Sequence, residues 1–366
     1  MNERNPAGRT PVGVLGATGA VGQRFVTLLA DHPWFEPVAL YGSERSAGRA
    51  YRDAVTWTQE RPIPPAVADQ LVRPLAPAPE CRLLFSALDA RAADRAEAEL
   101  ARAGHFVVSN ARSHRMDADV PLVVPEVNPD HLELVRRQRF GDGAVVTNPN
   151  CSTIGLVLAL KPLADAFGVR RVRVVTLQAL SGAGFPGVPS LSAVDNVLPF
   201  IAGEEEKIET ETRKILGRLE DGGIAFAEIA VSAQCNRVPV VDGHLLSVQA
   251  ELGSEPSPDE IAEAFRAFTA EPQRRRLPSA PLQPLAVADE DDRPQPRLDR
   301  ERGGGMTVTV GRIRPCPLGG TQVVALSHNT IRGAAGGSLL LAELAVARGL
   351  VPGVAPPEGR PAASPG

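Results

Sequence analysis

The chain has 366 residues, of which 43% are hydrophobic and 22% charged, and its formal net charge at pH 7 is −4. This length allows two domains, each with its own core, and the charge balance lacks the basic excess of a nucleic-acid-binding protein. No segment approaches the roughly 18 to 20 uninterrupted apolar residues of a membrane span, and the first ten residues lack the apolar stretch of a signal peptide. We therefore expect a cytoplasmic protein with neither a nucleic-acid nor a membrane partner.

The first predicted element is a short buried strand over residues 12–15, followed by a glycine-rich turn at 16–22 and a helix over 23–30. This order is typical of a dinucleotide-binding βαβ unit, in which glycines let the backbone approach a pyrophosphate at a helix N-terminus. The glycines alone are weak evidence, because glycine turns are common. Their position between strand and helix favours a cofactor site over an ordinary turn.

The next predicted strand, over residues 35–41, ends in a polar loop at 42–48. NAD sites usually place a carboxylate at this point, against the ribose 2′-hydroxyl. Ser43 and Arg45 instead suit a 2′-phosphate, so NADP is favoured. Glu44 keeps an ordinary solvated loop open as the alternative.

Two further strands, over residues 82–86 and 105–109, flank an Ala-, Glu- and Arg-rich stretch at 89–104 that predicts a helix. Alternating strands and helices imply a parallel, doubly wound sheet of the Rossmann type. The N-terminal fold class is therefore α/β.

A candidate nucleophile follows in the sequence NPNCST (148–153), which precedes the apolar run 154–160. Cys151 is thus expected to open a helix, where unpaired N–H groups and the helix dipole favour a thiolate and lower the pKa of the thiol. Those N–H groups, with the Asn150 side chain, can cradle an oxyanion formed when sulfur attacks a carbonyl. The alternative is a small, buried core cysteine. The other cysteines, at positions 81, 235 and 316, show no disulfide or metal-site spacing, so reduced thiols and no metal are expected.

Beyond this helix the pattern changes to longer, alternating stretches, which predict strands at 172–179, 224–231, 245–252 and 307–313. They indicate an α+β second domain with a mixed or antiparallel sheet and helices on one face. Residues 258–269 predict a helix with Ser257 as N-cap and Glu260 completing a capping box. Residues 283–305 predict a long polar excursion, and 353–366 a disordered tail.

A set of short motifs, in order from about residue 10 to about residue 350, resembles aspartate-semialdehyde dehydrogenase, most closely its archaeal and fungal-like branch. Each motif alone is weak, but their joint order and spacing are specific. The motifs are GATGAVG (16–22), SN (109–110), HRM (114–116), NPNC (148–151), SGAG (181–184), GEEEK (203–207), NRVP (236–239), GH (243–244) and NTIRG (329–333).

The resemblance implies NADPH-dependent reduction of L-aspartyl 4-phosphate to L-aspartate 4-semialdehyde and phosphate, in the biosynthesis of lysine, methionine and threonine. It implies Cys151 as the nucleophile and His244 as the acid/base. A histidine suits this role in thioester chemistry, because an imidazole titrates near neutrality and can both accept and release a proton. Read alone, His244 is a residue in a tight turn that enters a strand.

The resemblance also implies substrate contacts. Arg237 corresponds to the residue that binds the α-carboxylate, for which a guanidinium fork gives bidentate recognition. Glu204 corresponds to the acid that receives the α-ammonium group, although alone it looks like part of a solvated helix face. Gln178 matches a glutamine that orients the substrate. The residues that resemble the phosphate pocket are Arg115, Lys207 and Asn110.

The cofactor contacts implied by the resemblance lie in the glycine turn, the loop after the second strand and two later segments. They are Gly16, Thr18, Gly19, Ala20, Val21, Ser43, Arg45, Ser46, Ser181, Gly182 and Asn329. Asn329 resembles the residue that bonds the nicotinamide carboxamide. The glycine-rich turn that begins at Ser181 is equally explained as structural.

Residues 331–350 are mostly small and apolar and predict a helix, and by resemblance this C-terminal segment returns to the nucleotide-binding domain. This divides the chain into a dinucleotide-binding domain, residues 1–150 completed by 327–352, and a catalytic and dimerisation domain, residues 151–326. A homodimer or homotetramer is expected.

Two rival readings stay open. N-acetyl-glutamyl-phosphate reductase and malonyl-CoA reductase use a Cys/His pair on related scaffolds, but a free amino acid needs receptors for both its charges, here Arg237 and Glu204. A non-catalytic dinucleotide-sensing module would keep the fold, and the intact pair of Cys151 and His244 counts against it.

Overall fold

The computed structural model describes residues 8–357. The first part of the chain comprises β1 (Thr10–Leu15), α1 (Ala20–Leu29), β2 (Phe35–Tyr41), α2 (Tyr51–Ala54), α3 (Pro65–Ala68), β3 (Leu83–Ser86), α4 (Ala90–Arg102), β4 (Phe106–Ser109), a 3-10 helix (Pro129–Arg137) and β5 (Ala144–Thr147). Its five strands form one parallel sheet in the order β2-β1-β3-β4-β5. This confirms the doubly wound N-terminal architecture predicted from the sequence.

The direction of winding changes at β1, which lies between β2 and β3. Open parallel sheets bind ligands at such a switch point, beyond the carboxyl ends of the strands. The glycine turn leaves β1 at this edge, where the Ala17 N–H donates to the Tyr41 carbonyl at 2.9 Å. The turn after β1 and the loop after β2 are therefore neighbours.

The second part comprises α5 (Cys151–Phe167), β6 (Val169–Gln178), a 3-10 turn (Leu180–Ala183), α6 (Ser190–Ala193), α7 (Glu204–Ile215), β7 (Arg218–Glu220), β8 (Gly223–Ala225), β9 (Ala230–Arg237), β10 (His244–Leu252), α8 (Pro258–Arg266), α9 (Glu271–Arg274), β11 (Leu285–Val287), α10 (Pro296–Asp299), β12 (Val308–Pro315), β13 (Thr321–Ser327), a π-helix (Ile331–Ala335) and α11 (Gly336–Ala347).

A six-stranded mixed sheet in the order β11-β12-β13-β10-β6-β9 organises this part. Its central pairs are antiparallel, whereas the edge strands β11 and β9 run parallel to their neighbours. Helices α5, α7 and α8 pack on one face, and β6 exposes Arg173, Val175 and Leu177 on the other. The mixed sheet with helices on one face is confirmed, as is the capping box of Ser257 and Glu260 at the start of α8.

The single strand predicted over residues 224–231 is wrong. Its first residues form β8, which pairs with β7 in a separate hairpin, and the sheet strand β9 begins only at Ala230. Between them, the Ala227 N–H donates to the Arg213 carbonyl at 2.9 Å, near the end of α7. Exposure alternates without interruption from residue 225 to residue 234, across the break, so the residue pattern alone does not reveal it.

The polar excursion at 283–305 is anchored to the second sheet. Its residues Leu285–Val287 form the edge strand β11. The turn around α10 is held by the buried carboxylate of Asp299, which accepts hydrogen bonds from Arg293 Nε at 2.8 Å and from the Gln295 N–H at 2.7 Å.

Helix α11 packs into the core of the first sheet, where Leu340 and Leu344 lie in one apolar cluster with Val12 and Phe85. A second cluster fills the space between α5 and the mixed sheet. None of the helices within residues 8–357 has the length and apolar character to cross a membrane. Most of the tail predicted to be disordered, residues 358–366, lies outside the described residues.

Candidate active site

Cys151 is the first residue of α5, as the sequence predicts, because Asn150 caps this helix. The Asn150 Oδ1 accepts hydrogen bonds from the N–H groups of Ser152 at 2.9 Å and Thr153 at 3.2 Å. Two of the N–H groups expected to be free are therefore occupied. Within residues 8–357, the Cys151 N–H makes no hydrogen bond, so it is a free donor beside the sulfur.

His244 begins β10 and faces the thiol, with 3.3 Å between its Nε2 and the Cys151 Sγ. On the other side of the ring, the Ala179 N–H donates to Nδ1 at 3.0 Å. A backbone N–H can only donate, so Nδ1 accepts and the hydrogen of the neutral ring sits on Nε2. In this arrangement His244 donates towards sulfur, whereas the expected base would have to accept there.

The charge state of the pair differs from the expectation of a lowered thiol pKa. Cys151 keeps some solvent exposure, but the protein packed around it, followed by the negative charge of Glu204, raises the pKa of its thiol to about 12. Burial, with the charge of Arg237, lowers the pKa of His244 to about 3. At neutral pH the pair is therefore a thiol and a neutral imidazole, because the cost of desolvating a charge outweighs the effect of the helix terminus.

Two carboxylates of α7 hold Asn150. Glu204 Oε1 accepts from the Asn150 side-chain amide at 2.6 Å, and Glu211 Oε2 accepts from the Asn150 backbone N–H at 2.7 Å. The amide group thus uses Oδ1 for the helix cap and one of its two Nδ2 hydrogens for the bond to Glu204. Asn150 therefore orients the start of α5, and its second Nδ2 hydrogen is available for the expected role as an oxyanion donor, which stays a prediction.

The expected phosphate-pocket cations lie near the thiol but are already paired. Lys207 Nζ contacts Glu204 Oε2 at 2.8 Å. Arg115 donates to Glu211 Oε1 at 2.8 Å and to the Asn110 carbonyl at 2.7 Å. Both cations, with Arg237, oppose the rise in the pKa of Cys151, which places their charges within electrostatic reach of the sulfur.

Asn110 has a mainly structural setting. Its Oδ1 accepts from Asn148 Nδ2 at 3.0 Å and from Ser338 Oγ at 3.1 Å, and its Nδ2 donates to the Ser86 carbonyl at 3.2 Å. The side chain ties the loop after β4 to α11 and to the segment before Cys151. For the expected phosphate contact, the same side-chain amide of Asn110 would have to bind phosphate in addition to making these hydrogen bonds.

Arg237 and Gln178 end the neighbouring parallel strands β9 and β6. The Arg237 guanidinium donates to the Ala179 carbonyl at 2.8 Å, and Gln178 is buried, with its Nε2 bonded to Thr176 Oγ1 at 3.2 Å. A Cβ added to Gly182 would lie 2.8 Å from Arg237 Nη1 and 3.3 Å from His244 Nε2. A side chain at this position would therefore displace the guanidinium or press against the imidazole.

The glycine turn after β1 forms the expected nucleotide edge. Gly16 has φ +74°, and a Cβ there would lie 2.7 Å from the Ala87 carbonyl oxygen. Gly19 is the N-cap of α1 and supplies no side-chain cap, so the N–H groups of the first helical turn, which includes Ala20 and Val21, remain available to a ligand. Thr18 lies in the turn itself, partly exposed.

At the end of β2, Ser43 and Arg45 are exposed, whereas Ser46 is buried with its Cβ close to Gly42. Asn329 links the nucleotide side to the thiol. Its Nδ2 donates to Ser181 Oγ at 2.7 Å, and its Oδ1 accepts from the Gly243 N–H at 2.8 Å, next to His244.

Several residues of the site escaped the sequence reasoning. Gly333 lies in the π-helix, and a Cβ there would lie 2.7 Å from the Cys151 Cβ. Glu211 and Lys214 lie on α7, in a stretch that resembles a solvated helix face, yet both are buried. Their spacing from Glu204, seven and ten residues, would have placed all three on one helix face.

Comparisons with known proteins agree over most of the chain. The family model for the semialdehyde dehydrogenase NAD binding domain matches residues 11–135, and that for the semialdehyde dehydrogenase dimerisation domain matches residues 160–332. The aspartate-semialdehyde dehydrogenase of Archaeoglobus fulgidus is 50% identical over 342 residues, which cover 92% of this chain and 98% of that protein. That of Schizosaccharomyces pombe is 47% identical over 352 residues, covering 93% and 99%.

Solved structures give the same result. Aspartate semialdehyde dehydrogenase with NADP from Candida albicans superimposes with a TM-score of 0.88 at 43% identity, covering 93% of this chain and 100% of that one. Aspartate semialdehyde dehydrogenase II from Vibrio cholerae has a TM-score of 0.75 at 27% identity, covering 92% and 98%. With archaeal and fungal relatives this similar over nearly its full length, the chain belongs to the aspartate-semialdehyde dehydrogenase family.

Proposed function

We propose that the residues around Cys151 form the catalytic centre with which this chain reduces L-aspartyl 4-phosphate to L-aspartate 4-semialdehyde and phosphate, using NADPH, in the biosynthesis of lysine, methionine and threonine. The observation that carries the proposal is the 3.3 Å contact between Cys151 Sγ and His244 Nε2. Around it lie one carboxylate, Glu204, and the cations Arg115, Lys207 and Arg237. This set of charges suits a substrate that carries a carboxylate, an ammonium group and a phosphate.

Substrate binding rearranges the ion pairs in this proposal. Arg237 binds the α-carboxylate and Glu204 receives the α-ammonium group, while Gln178 orients the chain between them. Because Glu204 pairs with Lys207, the incoming ammonium group takes over that pairing and frees Lys207 to join Arg115 at the phosphate. Neutralising Glu204 also removes a charge that raises the pKa of Cys151. The substrate thereby activates its own nucleophile.

In the proposed reaction, sulfur attacks the acyl carbon, the carbon–oxygen bond to phosphate breaks, and the thiol proton leaves with the phosphate. The thioester then accepts a hydride, which is the chemistry that bound NADPH supplies. The resulting thiohemiacetal alkoxide breaks its carbon–sulfur bond to release the aldehyde, and the Cys151 thiolate takes a proton from solvent. The Nε2–H of His244 stabilises the thiolate as nucleophile and as leaving group, and the Cys151 N–H stabilises the oxyanion.

The nucleotide edge fits NADP. The exposed backbone at Gly19 and the N-terminus of α1, which follow the tight turn at Gly16, suit a pyrophosphate, and the exposed Ser43 and Arg45 suit a 2′-phosphate. Ser181, Gly182 and Asn329 lie between this edge and the thiol, which supports their proposed place beside the nicotinamide.

The proposed domain division is residues 1–150 with 327–352, and residues 151–326. It is supported by the packing of α11 into the core of the first sheet. The second unit carries the family's dimerisation domain, so the chain assembles into oligomers, and we propose a homodimer, or a homotetramer built from it, in the cytoplasm.

The test is a phosphate-dependent assay in reverse, with L-aspartate 4-semialdehyde, inorganic phosphate and either NADP or NAD. We expect NADP reduction that requires phosphate and that Cys151→Ala abolishes without loss of NADP binding. Cys316→Ala is the matched control, since Cys316 lies at the far end of β12, and it should retain activity. Mass spectrometry of enzyme quenched during turnover should find the acyl adduct on Cys151.

Comparing rates with the rival substrates distinguishes the alternative functions. Reduction of malonyl-CoA or N-acetyl-glutamyl phosphate at rates above that of aspartyl phosphate would replace the proposed substrate, and full activity of Cys151→Ala would remove the covalent mechanism. NADP binding without turnover of any of the three substrates would favour a sensing module.

A further inference from the structure

We propose that Glu211 is a positioning residue that holds Arg115, the phosphate-binding cation, in fixed register with the start of the helix that carries Cys151. The inference rests on the proposed function, because it takes Arg115 as part of the phosphate site. Glu211 touches neither substrate nor cofactor in this proposal. It acts by joining two parts of the site that come from different segments of the chain.

The contacts of Glu211 are direct. One carboxylate oxygen, Oε1, accepts from Arg115 Nη1 at 2.8 Å, and the other, Oε2, accepts from the Asn150 backbone N–H at 2.7 Å. Glu211 is 2% exposed and Arg115 7% exposed. Hydrogen bonds between charged, desolvated groups are short and directional, so this carboxylate determines how far the guanidinium lies from the residue before Cys151.

Helix α7, which carries Glu211, contacts the residue before Cys151 at two points. Glu204 and Glu211 are two helical turns apart on α7 and therefore lie on one face. Glu204 holds the Asn150 side chain at 2.6 Å and Glu211 holds its backbone. Asn150 in turn caps α5, so α7 fixes both the position and the direction of the helix start.

The same helix also holds the loop that carries Arg115. The buried Lys214 ammonium donates to the carbonyls of Arg115 at 2.7 Å, Asp117 at 2.8 Å and Val120 at 3.0 Å. One helix face thus fixes Arg115 through its side chain and through its backbone. This arrangement leaves the guanidinium little freedom to search for phosphate, which is the geometry expected of a preorganised anion site.

The titratable and charged groups around Cys151 determine how loss of the Glu211 charge would act on the thiol. They are His244 on β10, Arg237 on β9, Arg115 after β4, and Glu204 and Lys207 on α7. Arg115 neutralises Glu211, and Lys207 neutralises Glu204. Removing the Glu211 charge therefore leaves a net gain of positive charge near the sulfur, which favours its thiolate form.

The test is Glu211→Gln, which keeps an oxygen acceptor for the Asn150 N–H and removes the charge that pairs with Arg115. In the reverse assay we expect KM for phosphate to rise about tenfold or more, with KM for the semialdehyde changed less than about twofold. We also expect the pH profile of Cys151 alkylation by iodoacetamide to move to lower pH by about half a unit or more. If Glu211 had a purely structural role, the substitution would change neither the ratio of the two KM values nor the pH profile of Cys151 alkylation.

Glu206→Gln is the matched control, because Glu206 is exposed on the same helix, and it should leave both readouts unchanged. If Glu211→Gln does not fold, Glu211→Asp replaces it: the shorter side chain cannot reach both partners, so KM for phosphate should still rise, whereas the retained charge should leave the alkylation profile nearly unchanged. Unchanged phosphate KM and an unchanged alkylation profile in the variant that folds would overturn the proposal. Alkylation needs no substrate, so it still tests Glu211 if the proposed reaction itself fails.

Discussion

At the scale of single residues, the protonation states of Cys151 and His244 determine the chemistry of the site. Because the Ala179 N–H occupies Nδ1 and the pKa of His244 is lowered to about 3, the neutral ring with hydrogen on Nε2 should persist from pH 5 to pH 9. Nitrogen-15 NMR of histidine-labelled enzyme distinguishes the two neutral tautomers and the cation. His244→Asn identifies the signal among the six histidines. A titration between pH 6 and 7, or hydrogen on Nδ1, would contradict this assignment.

The pKa of the Cys151 thiol is displaced upwards, in the direction opposite to that of His244. Its raised pKa leaves the protonated form dominant at neutral pH, so the rate of alkylation of the free enzyme by iodoacetamide should increase about tenfold per pH unit and reach no plateau between pH 6 and 9. Glu204→Gln should move this profile to lower pH, since it removes the anion that raises the pKa of Cys151. A flat profile from pH 6 upwards would instead show a preformed thiolate.

Sequence reasoning could identify Cys151 because its signal is local: a capping asparagine, a cysteine and an apolar run. His244 needed the family resemblance, since nothing in its own neighbourhood distinguishes it from a turn residue. The tautomer of His244 and the ties from Glu211 to Asn150 and Arg115 depend on contacts between segments 60 to 100 residues apart. No local pattern encodes such contacts, so they had to come from the structure.

Among the elements, the π-helix at Ile331–Ala335 has the closest connection to the nucleophile. Hydrogen bonds from Gly333 to His328 and from Ala335 to Thr330 span five residues, and this wider turn brings Gly333 against Cys151. The sequence predicts a helix here, but the wider turn has no clear residue signature. Likewise, the regular alternation of residues predicts one strand where the structure has β8 and β9. The break between them is fixed by a contact with α7, which the alternation does not reveal.

Gly333→Ala tests the close approach of the π-helix. The added methyl group would lie 2.7 Å from the Cys151 Cβ, so the sulfur must shift. A displacement of about 1 Å at a reacting atom costs about a hundredfold in rate. We expect kcat to fall by about that factor while NADP binding is retained. Gly222→Ala, where an added Cβ meets nothing within 4 Å, is the control and should keep its kcat; wild-type kcat for Gly333→Ala would mean that the helix yields easily.

At the scale of the whole molecule, the site lies where the two sheets meet. The parallel sheet presents the nucleotide edge, the mixed sheet presents Arg237 and His244 at strand ends, and α5 starts between them. Strands alternating with helices were sufficient to predict the parallel sheet, and the longer stretches of alternating residues were sufficient to predict the mixed or antiparallel one. The strand order of the mixed sheet was not predictable in this way, because β11 and β9 join it as parallel edge strands through long connections.

The open face of the mixed sheet is the surface on which we expect the chain to dimerise. Val175 is 42% exposed there, between Gln234 on β9 and Ser247 on β10, and Val324 on β13 continues the row. An open sheet face with exposed apolar side chains favours a partner sheet. Val175→Glu puts a charge at the centre of this contact, where it would be buried unpaired, so the oligomer should dissociate.

Multi-angle light scattering measures the outcome directly. The wild-type chain should have twice, or for a tetramer four times, its 38.7 kDa mass, and Val175→Glu should lower that mass at the same concentration. Leu318→Glu, which adds the same charge at a 79% exposed position on the β12–β13 turn, should not. If both variants keep the wild-type mass, the interface lies on another face. If the Val175→Glu subunit dissociates yet retains full turnover, the active site is complete within one chain, as the contacts of Cys151 within a single subunit suggest.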